Sequence, residues 1–327
     1  MPVKKLNYGT TKKMEKIVVT GGNGFLGKNV IRLLKSQKYE TFSVSRKEGI
    51  DITNYSLFKD HLQKINPDIV VHCAAHVGGI AYNKLHPVKV FEDNTILSLN
   101  IVRVCNELKI NKLINIMPNC TYPGDMELYE EKKWWDGAMH PSVLTYGLPR
   151  KMLWGACFAY CQINKDFKPI HLIFPNMYGP EDHFEIIRSH ALGALISKIV
   201  DAKEQNRKQV EIWGTGKPIR EWLYVKDGAE AILKTMQHLD KFEPNEIMNI
   251  GVTKGISILD LAKLIKEITG WKGEFVLQPE KPDGAMKKIL DSGKMKKKLG
   301  WAPETELKKG IKKTIDWYIK HKKLDTN

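Results

Sequence analysis

Apolar residues in this chain recur in short runs of four or five, and most runs are followed by a longer stretch with helical spacing. Ile17-Val18-Val19-Thr20 is such a run, with a glycine turn after it and a helix opening near Phe25. Thr41-Phe42-Ser43-Val44, Asp68-Ile69-Val70-Val71-His72 (led by Pro67), Leu113-Ile114-Asn115-Ile116 and His171-Leu172-Ile173-Phe174 repeat it. Residues 88–108 and 147–162 read as long helices. Short, nearly continuous apolar runs fit strands covered on both faces, and their alternation with helices fits parallel pairing. The pattern predicts an α/β fold with a doubly wound parallel sheet over residues 16–178. Residues 1–15 are polar and basic without periodicity and read as a disordered tail. Past about residue 180 the alternation weakens. Residues 179–327 read mainly as a smaller C-terminal α/β lobe, with part of the chain near 222–256 returning to the first domain. An amphipathic helix from about Leu307 to His321 ends the pattern.

Composition narrows the class. The 327 residues are 42% hydrophobic and 27% charged, as in ordinary globular domains. No apolar run approaches the ~20 residues of a membrane span, and the basic N-terminus lacks the apolar core of a secretory signal. Five cysteines, an odd number without metal-site spacing, fit free thiols in the cytoplasm and no metal. The net charge of +15 is spread along the chain, with Lys294, Lys296, Lys297 and Lys298 the densest run. Scattered charge of this kind fits solvated helix faces and anionic small molecules better than a nucleic-acid surface.

The turn Gly21-Gly22-Asn23-Gly24-Phe25-Leu26-Gly27 lies directly after the first strand and opens a helix. Glycines there allow a tight turn and close approach of bare backbone to a pyrophosphate, at which the helix N-terminus points free N–H groups. This context makes the fold Rossmann-type and the ligand a dinucleotide. Sites for NAD place an acidic residue at the tip of the second strand. Here the tip reads Ser45-Arg46-Lys47, so a 2′-phosphate is welcome and NADP(H) is favoured, with NAD(H) the alternative. Asp51, on the next loop, is placed to accept from the adenine amino group.

At this point the residues carry a resemblance. The glycine turn, His72-Cys73-Ala74-Ala75 after a strand and Tyr146 opening a helix resemble the extended short-chain dehydrogenase/reductases. Val77-Gly78-Gly79-Ile80, Cys120-Thr121-Tyr122-Pro123, Pro175-Asn176-Met177-Tyr178-Gly179-Pro180, the segment from Trp213 to Glu221, Asn249-Ile250-Gly251 and Lys281-Pro282-Asp283-Gly284 are similar to the GDP-L-fucose synthase branch. That resemblance implies a GDP-linked 4-keto sugar as substrate. It implies a tyrosine (Tyr146) that protonates the C4 oxygen as the cofactor reduces C4. A cysteine (Cys120) and a histidine (His190) would exchange protons at C3 and C5. Ala74, Ala75, Pro175 and Asn176 would line the cofactor, and Lys198, Trp213, Arg220, Asp283 and Lys288 the sugar nucleotide. Two long helices per subunit, 88–108 and 147–162, would pair into a homodimer.

Two positions depart from that pattern. The lysine expected four residues after the tyrosine is Arg150, with Lys151 one further and rotated about 140° from Tyr146. Either Arg150 takes the part directly, or Pro149 alters the first turn enough to bring Lys151 closer. The expected hydroxyl falls on Pro118, which has neither hydroxyl nor N–H, so Asn119 or Thr121 would have to stand in. The binding residues are kept while the hydride-transfer residues differ. This leaves open a nucleotide-sugar epimerase or dehydrogenase with tightly held NAD(P), or a catalytically weak sugar-nucleotide-binding protein.

Overall fold

The computed structural model describes residues 15–185, 189–281 and 283–325; the tail reading for residues 1–14 lies outside the described residues. Its strands are β1 Lys16–Thr20, β2 Glu40–Val44, β3 Ile69–His72, β4 Lys112–Pro118, β5 Lys168–Phe174, β6 Asn176–Tyr178, β7 Gln209–Trp213, β8 Ile219–Tyr224, β9 Glu246–Asn249, β10 Gly255–Ser257, β11 Glu274–Gln278 and β12 Lys287–Lys288. Its α-helices are α1 Phe25–Ser36, α2 Tyr55–Ile65, α3 Ile80–Leu85, α4 Pro87–Glu107, α5 Leu144–Ile163, α6 Ala191–Glu204, α7 Val225–Gln237, α8 Ile258–Thr269, α9 Gly293–Leu299 and α10 Leu307–Asp325.

Six strands form one parallel sheet in the order β2-β1-β3-β4-β5-β9. The apolar runs explain its centre. Ile17, Val18, Val19, Ile69, Val70 and Val71 are fully buried because alternate residues face opposite covering layers. On one side Ile17, Val19, Ile69 and Val71 meet Leu26, Val30 and Leu34 of α1 and Ile232 and Met236 of α7. On the other, Val18 and Val70 meet Phe58 and Leu62 of α2, Leu97 and Ile101 of α4 and Leu153 of α5. The chain reverses its direction of travel through the sheet between β1 and β3. In such sheets that reversal opens a crevice at the carboxyl ends of the strands, where ligands bind.

The later part of the chain builds a smaller layer beside that crevice. β8 pairs with β6, β10 and β12, and β7 pairs with β11 in parallel. Leu192, Ile196 and Ile199 of α6, Leu261 and Ile265 of α8 and Ile311 and Ile315 of α10 share a third core with Tyr178, Trp222 and Tyr224. Glu221 ties this layer to the sheet domain. Fully buried on β8, its carboxylate accepts from the backbone N–H groups of Val252, Thr253 and Leu290. Burial pushes its pKa up to about 7.

Candidate active site

A cleft of about 1030 Å³ runs from the β1 turn to the smaller layer. Its first stretch is shaped for a dinucleotide. Gly21 has φ +66°, and a Cβ there would lie 2.8 Å from the Ala74 backbone, so the turn needs a glycine to seat against the end of β3. Asn23, Gly24, Phe25, Leu26 and Gly27 follow along the wall. Arg46, Lys47 and Asp51 line the far end, with Asp51 Oδ1 accepting from the backbone and hydroxyl of Thr53. The nearest carboxylate at the β2 tip, Glu48, turns back onto the hydroxyls of Ser43 and Ser45 and does not line the cleft. The tip presents two cations and no acid to a ribose, which suits a 2′-phosphate. Ala74, Ala75, Pro175 and Asn176 line the middle.

Next come Tyr146 and the two basic residues that follow it on α5. α5 begins at Leu144, so Tyr146 and Arg150 lie one turn apart on the same face, and both line the cleft. Burial raises the Tyr146 pKa, and the charge of Arg150 pulls against that rise. The Arg150 side chain is 1% exposed. Its Nη2 donates to Ala74 O at 2.9 Å and to Asn94 Oδ1 at 3.2 Å, and its Nη1 lies 3.5 Å from His72 Nε2. His72 in turn contacts Thr20 Oγ1 at 2.8 Å. Burial keeps the His72 ring neutral, so Nε2 is free to accept from the guanidinium. Arg150 Nε is buried without a partner among the described residues.

Lys151 does not reach the cleft, and the alternative that Pro149 brings it closer is corrected here. Its Nζ donates to Trp134 O at 2.7 Å and sits over the Trp134 and Trp135 rings at 4.9 and 4.4 Å. Thr121 is likewise corrected as a stand-in hydroxyl. Fully buried, it donates to Pro118 O and accepts from Trp134 Nε1, both at 2.8 Å. Asn119 does line the cleft, and its buried Nδ2 has no partner among the described residues.

Cys120, His190 and Lys288 line the same cleft from the end of β4, the N-cap of α6 and β12. Burial raises the Cys120 pKa, against which the Lys288 charge acts. Burial lowers that of His190, as do the charges of His183 and Lys288. At rest the pair therefore holds a thiol and a neutral imidazole. Arg220, Lys198, Trp213 and Asp283 form the far wall. Arg220 Nη2 donates to Asp283 O at 3.3 Å, and the Asp283 carboxylate holds Thr215 through its backbone N–H and hydroxyl, both at 2.8 Å. Lys198 lies 5.5 Å over the half-exposed Trp213 ring.

Some residues of this site carry no local signal. Asn94 and His72 grip Arg150 across 56 and 78 residues of sequence. Asp182, whose pKa burial pushes up to about 7, also lines the cleft. Among the described residues no group of histidine, cysteine and carboxylate side chains could hold a metal ion.

A dinucleotide crevice continuous with a pocket of tyrosine, cysteine, histidine and cations defines a nicotinamide-dependent enzyme acting on a phosphate-bearing substrate. Residues 17–251 match the NAD dependent epimerase/dehydratase family, and the chain belongs to it. It is 32% identical over 311 residues to the GDP-L-colitose synthase of Yersinia pseudotuberculosis, covering 95% of this chain and all of that one. To GDP-L-fucose synthase 1 of Arabidopsis thaliana it is 31% identical over 310 residues, 94% of each chain. The crystal structure of a GDP-6-OMe-4-keto-L-xylo-heptose reductase from C. jejuni matches with a TM-score of 0.87 at 25% identity, over 96% of this chain and 100% of that one. A GDP-L-fucose synthetase from Naegleria fowleri bound to NADP matches at 0.83 and 28%, over 96% and 95%.

Proposed function

We propose that this chain is an NADP(H)-dependent reductase or epimerase/reductase acting on a GDP-linked 4-keto sugar. The observation that carries the reading is the convergence of Tyr146, Cys120, His190 and Lys288 on one cleft that begins at the glycine turn. The names of the three relatives just given as GDP-sugar synthases or reductases support the substrate class. NADPH, when bound, supplies the hydride that reduces C4.

The chain's own residues do the rest. Arg46 and Lys47 receive the 2′-phosphate, and the backbone from Gly21 to Gly27 receives the pyrophosphate. Tyr146 gives its proton to the C4 oxygen, and the buried amide of Asn119 donates to the same oxygen in place of a hydroxyl. Arg150 supplies fixed positive charge beside Tyr146. Cys120 and His190 exchange protons at C3 and C5, whose acidity comes from the neighbouring ketone. Lys288 and Arg220 face the diphosphate, and Trp213 with Lys198 borders the nucleotide end.

The test is turnover of GDP-4-keto-6-deoxy-mannose in deuterated buffer, with and without NADPH. NADPH oxidation with deuterium at C3 and C5 is the expected result. Deuterium uptake without NADPH loss would favour a pure epimerase, and neither signal would leave a sugar-nucleotide-binding protein.

We also propose a homodimer. α4 and α5 pack side by side and leave Val88, Ile96 and Leu99 of one and Leu144, Leu148, Met152 and Phe158 of the other exposed. Seven exposed apolar side chains on two packed helices call for a partner, and a second copy supplies the same set. Light scattering at micromolar concentration should give twice the chain mass. Leu148→Lys with Leu99→Lys should give monomers that keep the circular dichroism of the parent. The free thiols and the absence of any helix long and apolar enough to cross a membrane among the described residues agree with a cytoplasmic site of action.

A further inference from the structure

Reduction at C4 would strip Tyr146 of its hydroxyl proton at every turnover, and that proton must be replaced. Neither neighbour in the hydride-transfer end can replace it. A guanidinium does not release a proton, and the Asn119 amide, though a hydrogen-bond donor, is far too weak an acid to release one.

The wall behind Arg150 holds an ordered chain that can. His76 Nδ1 lies 2.7 Å from Asp93 Oδ2, and its Nε2 lies 2.8 Å from the Tyr82 hydroxyl. Asp93, ion-paired with Lys89 at 3.3 Å, is acceptor-only, so Nδ1 carries the ring proton. In that tautomer Nε2 accepts and Tyr82 donates. Each donor points the same way, from Tyr82 through His76 to Asp93. His76 and Asp93 line the cleft, whereas Tyr82 stands outside that lining and is partly exposed.

A single atom joins this chain to Arg150. Asn94 Oδ1 accepts from the His76 backbone N–H at 3.0 Å and from Arg150 Nη2 at 3.2 Å, while Asn94 Nδ2 donates to His76 O at 2.9 Å. Gly78 makes room for the tyrosine, because a Cβ there would lie 2.4 Å from the Tyr82 ring. The other charged or titratable groups near the chain are Lys89 on α4, Lys84 on α3, His86 between α3 and α4, and Arg150 on α5. The turn at residues 141–143, packed against α3, has none.

We propose that Tyr82, His76 and Asp93 form a proton-supply chain that restores the proton Tyr146 gives up during reduction. The inference rests on the reading of Tyr146 as the proton donor. The Tyr82 proton passes to Nε2 as the Nδ1 proton passes to Asp93. Asp93 hands its proton through cleft water to the Tyr146 oxygen, and solvent reprotonates Tyr82. In sum, one solvent proton enters for each proton delivered to C4–O.

The test uses the full-length protein, NADPH and GDP-4-keto-6-deoxy-mannose, with His76→Gln and Tyr82→Phe. Each variant should lower kcat at least about tenfold, steepen its fall toward high pH and leave the KM for NADPH near the parent value. Imidazole should raise the kcat of His76→Gln, and so should adding Arg150→Lys, which installs an amine able to carry the proton. Unchanged kcat and pH profile in both variants would overturn the proposal. So would a loss in His76→Gln that is uniform in pH and rescued by neither route, since that marks a purely structural role. A parent enzyme that binds the sugar nucleotide but oxidises no NADPH would overturn the reading of Tyr146 first, and the chain with it.

Discussion

Tyr146→Phe is expected to lower NADPH-dependent turnover by about 10²–10⁴-fold, the usual worth of a positioned general acid. Deuterium exchange at C3 and C5 should fall far less, because the residues that move those protons remain. The difference separates protonation of the C4 oxygen from polarisation of the ketone, which on the proposed reading Asn119 would still provide through its Nδ2, unpartnered among the described residues. Tyr146 is partly exposed, yet its desolvation alone would make the phenol a weaker acid. The charge of Arg150 offsets part of that. A guanidinium stays charged at any pH the protein survives, so the offset does not titrate away as it would with a lysine. Arg150→Met should therefore raise the Tyr146 pKa further and lower kcat, and Arg150→Lys should keep activity while adding an ionisation at high pH. NADPH absorbance for turnover and proton NMR for exchange read the two quantities in one reaction.

How much of this was legible in the sequence depends on how far apart the partners lie. The parallel sheet was, because each strand is a local apolar run and each crossover a local helix. The sixth strand, Glu246–Asn249, is short and only half buried, and it pairs with β5 across a gap of more than seventy residues. Position along a helix was legible too: Arg150 shares a face with Tyr146 because four residues make about one turn. What became of Lys151 was not. Its partners are Trp134 and Trp135, brought from an irregular loop, and no periodicity announces that a cation will be enclosed by aromatic faces. Thr121 was lost to the same loop, through the Trp134 indole. Asn94, His72 and the Tyr82–His76–Asp93 chain are contacts between elements, and their sequence shows only polar residues on helices or at strand ends.

Cys120→Ser is expected to reduce deuterium incorporation at C3 and C5 by about two orders of magnitude or more, in the range found for general acid–base groups. The reason lies in how the cleft sets its two proton carriers. Burial pushes the thiol up and the His190 imidazole down, so at rest the sulfur keeps its proton and the neutral imidazole has one nitrogen free to accept it. Environments that push two pKa values apart mark one group as acid and the other as base. A serine hydroxyl is far too weak an acid to share a proton with imidazole on those terms, although it fills nearly the same space. Lys288 acts on both members, lowering the Cys120 pKa and the His190 pKa together, so it favours thiolate over thiol while keeping the imidazole uncharged. Lys288→Met should thus slow exchange by more than the loss of a diphosphate contact explains, appearing in kcat for exchange as well as in KM. If Cys120→Ser instead kept parental exchange while losing NADPH-dependent turnover, sulfur would have no part in moving the C3 and C5 protons. The assignment of those proton transfers to Cys120 would then fall, and other groups of the cleft would have to carry them.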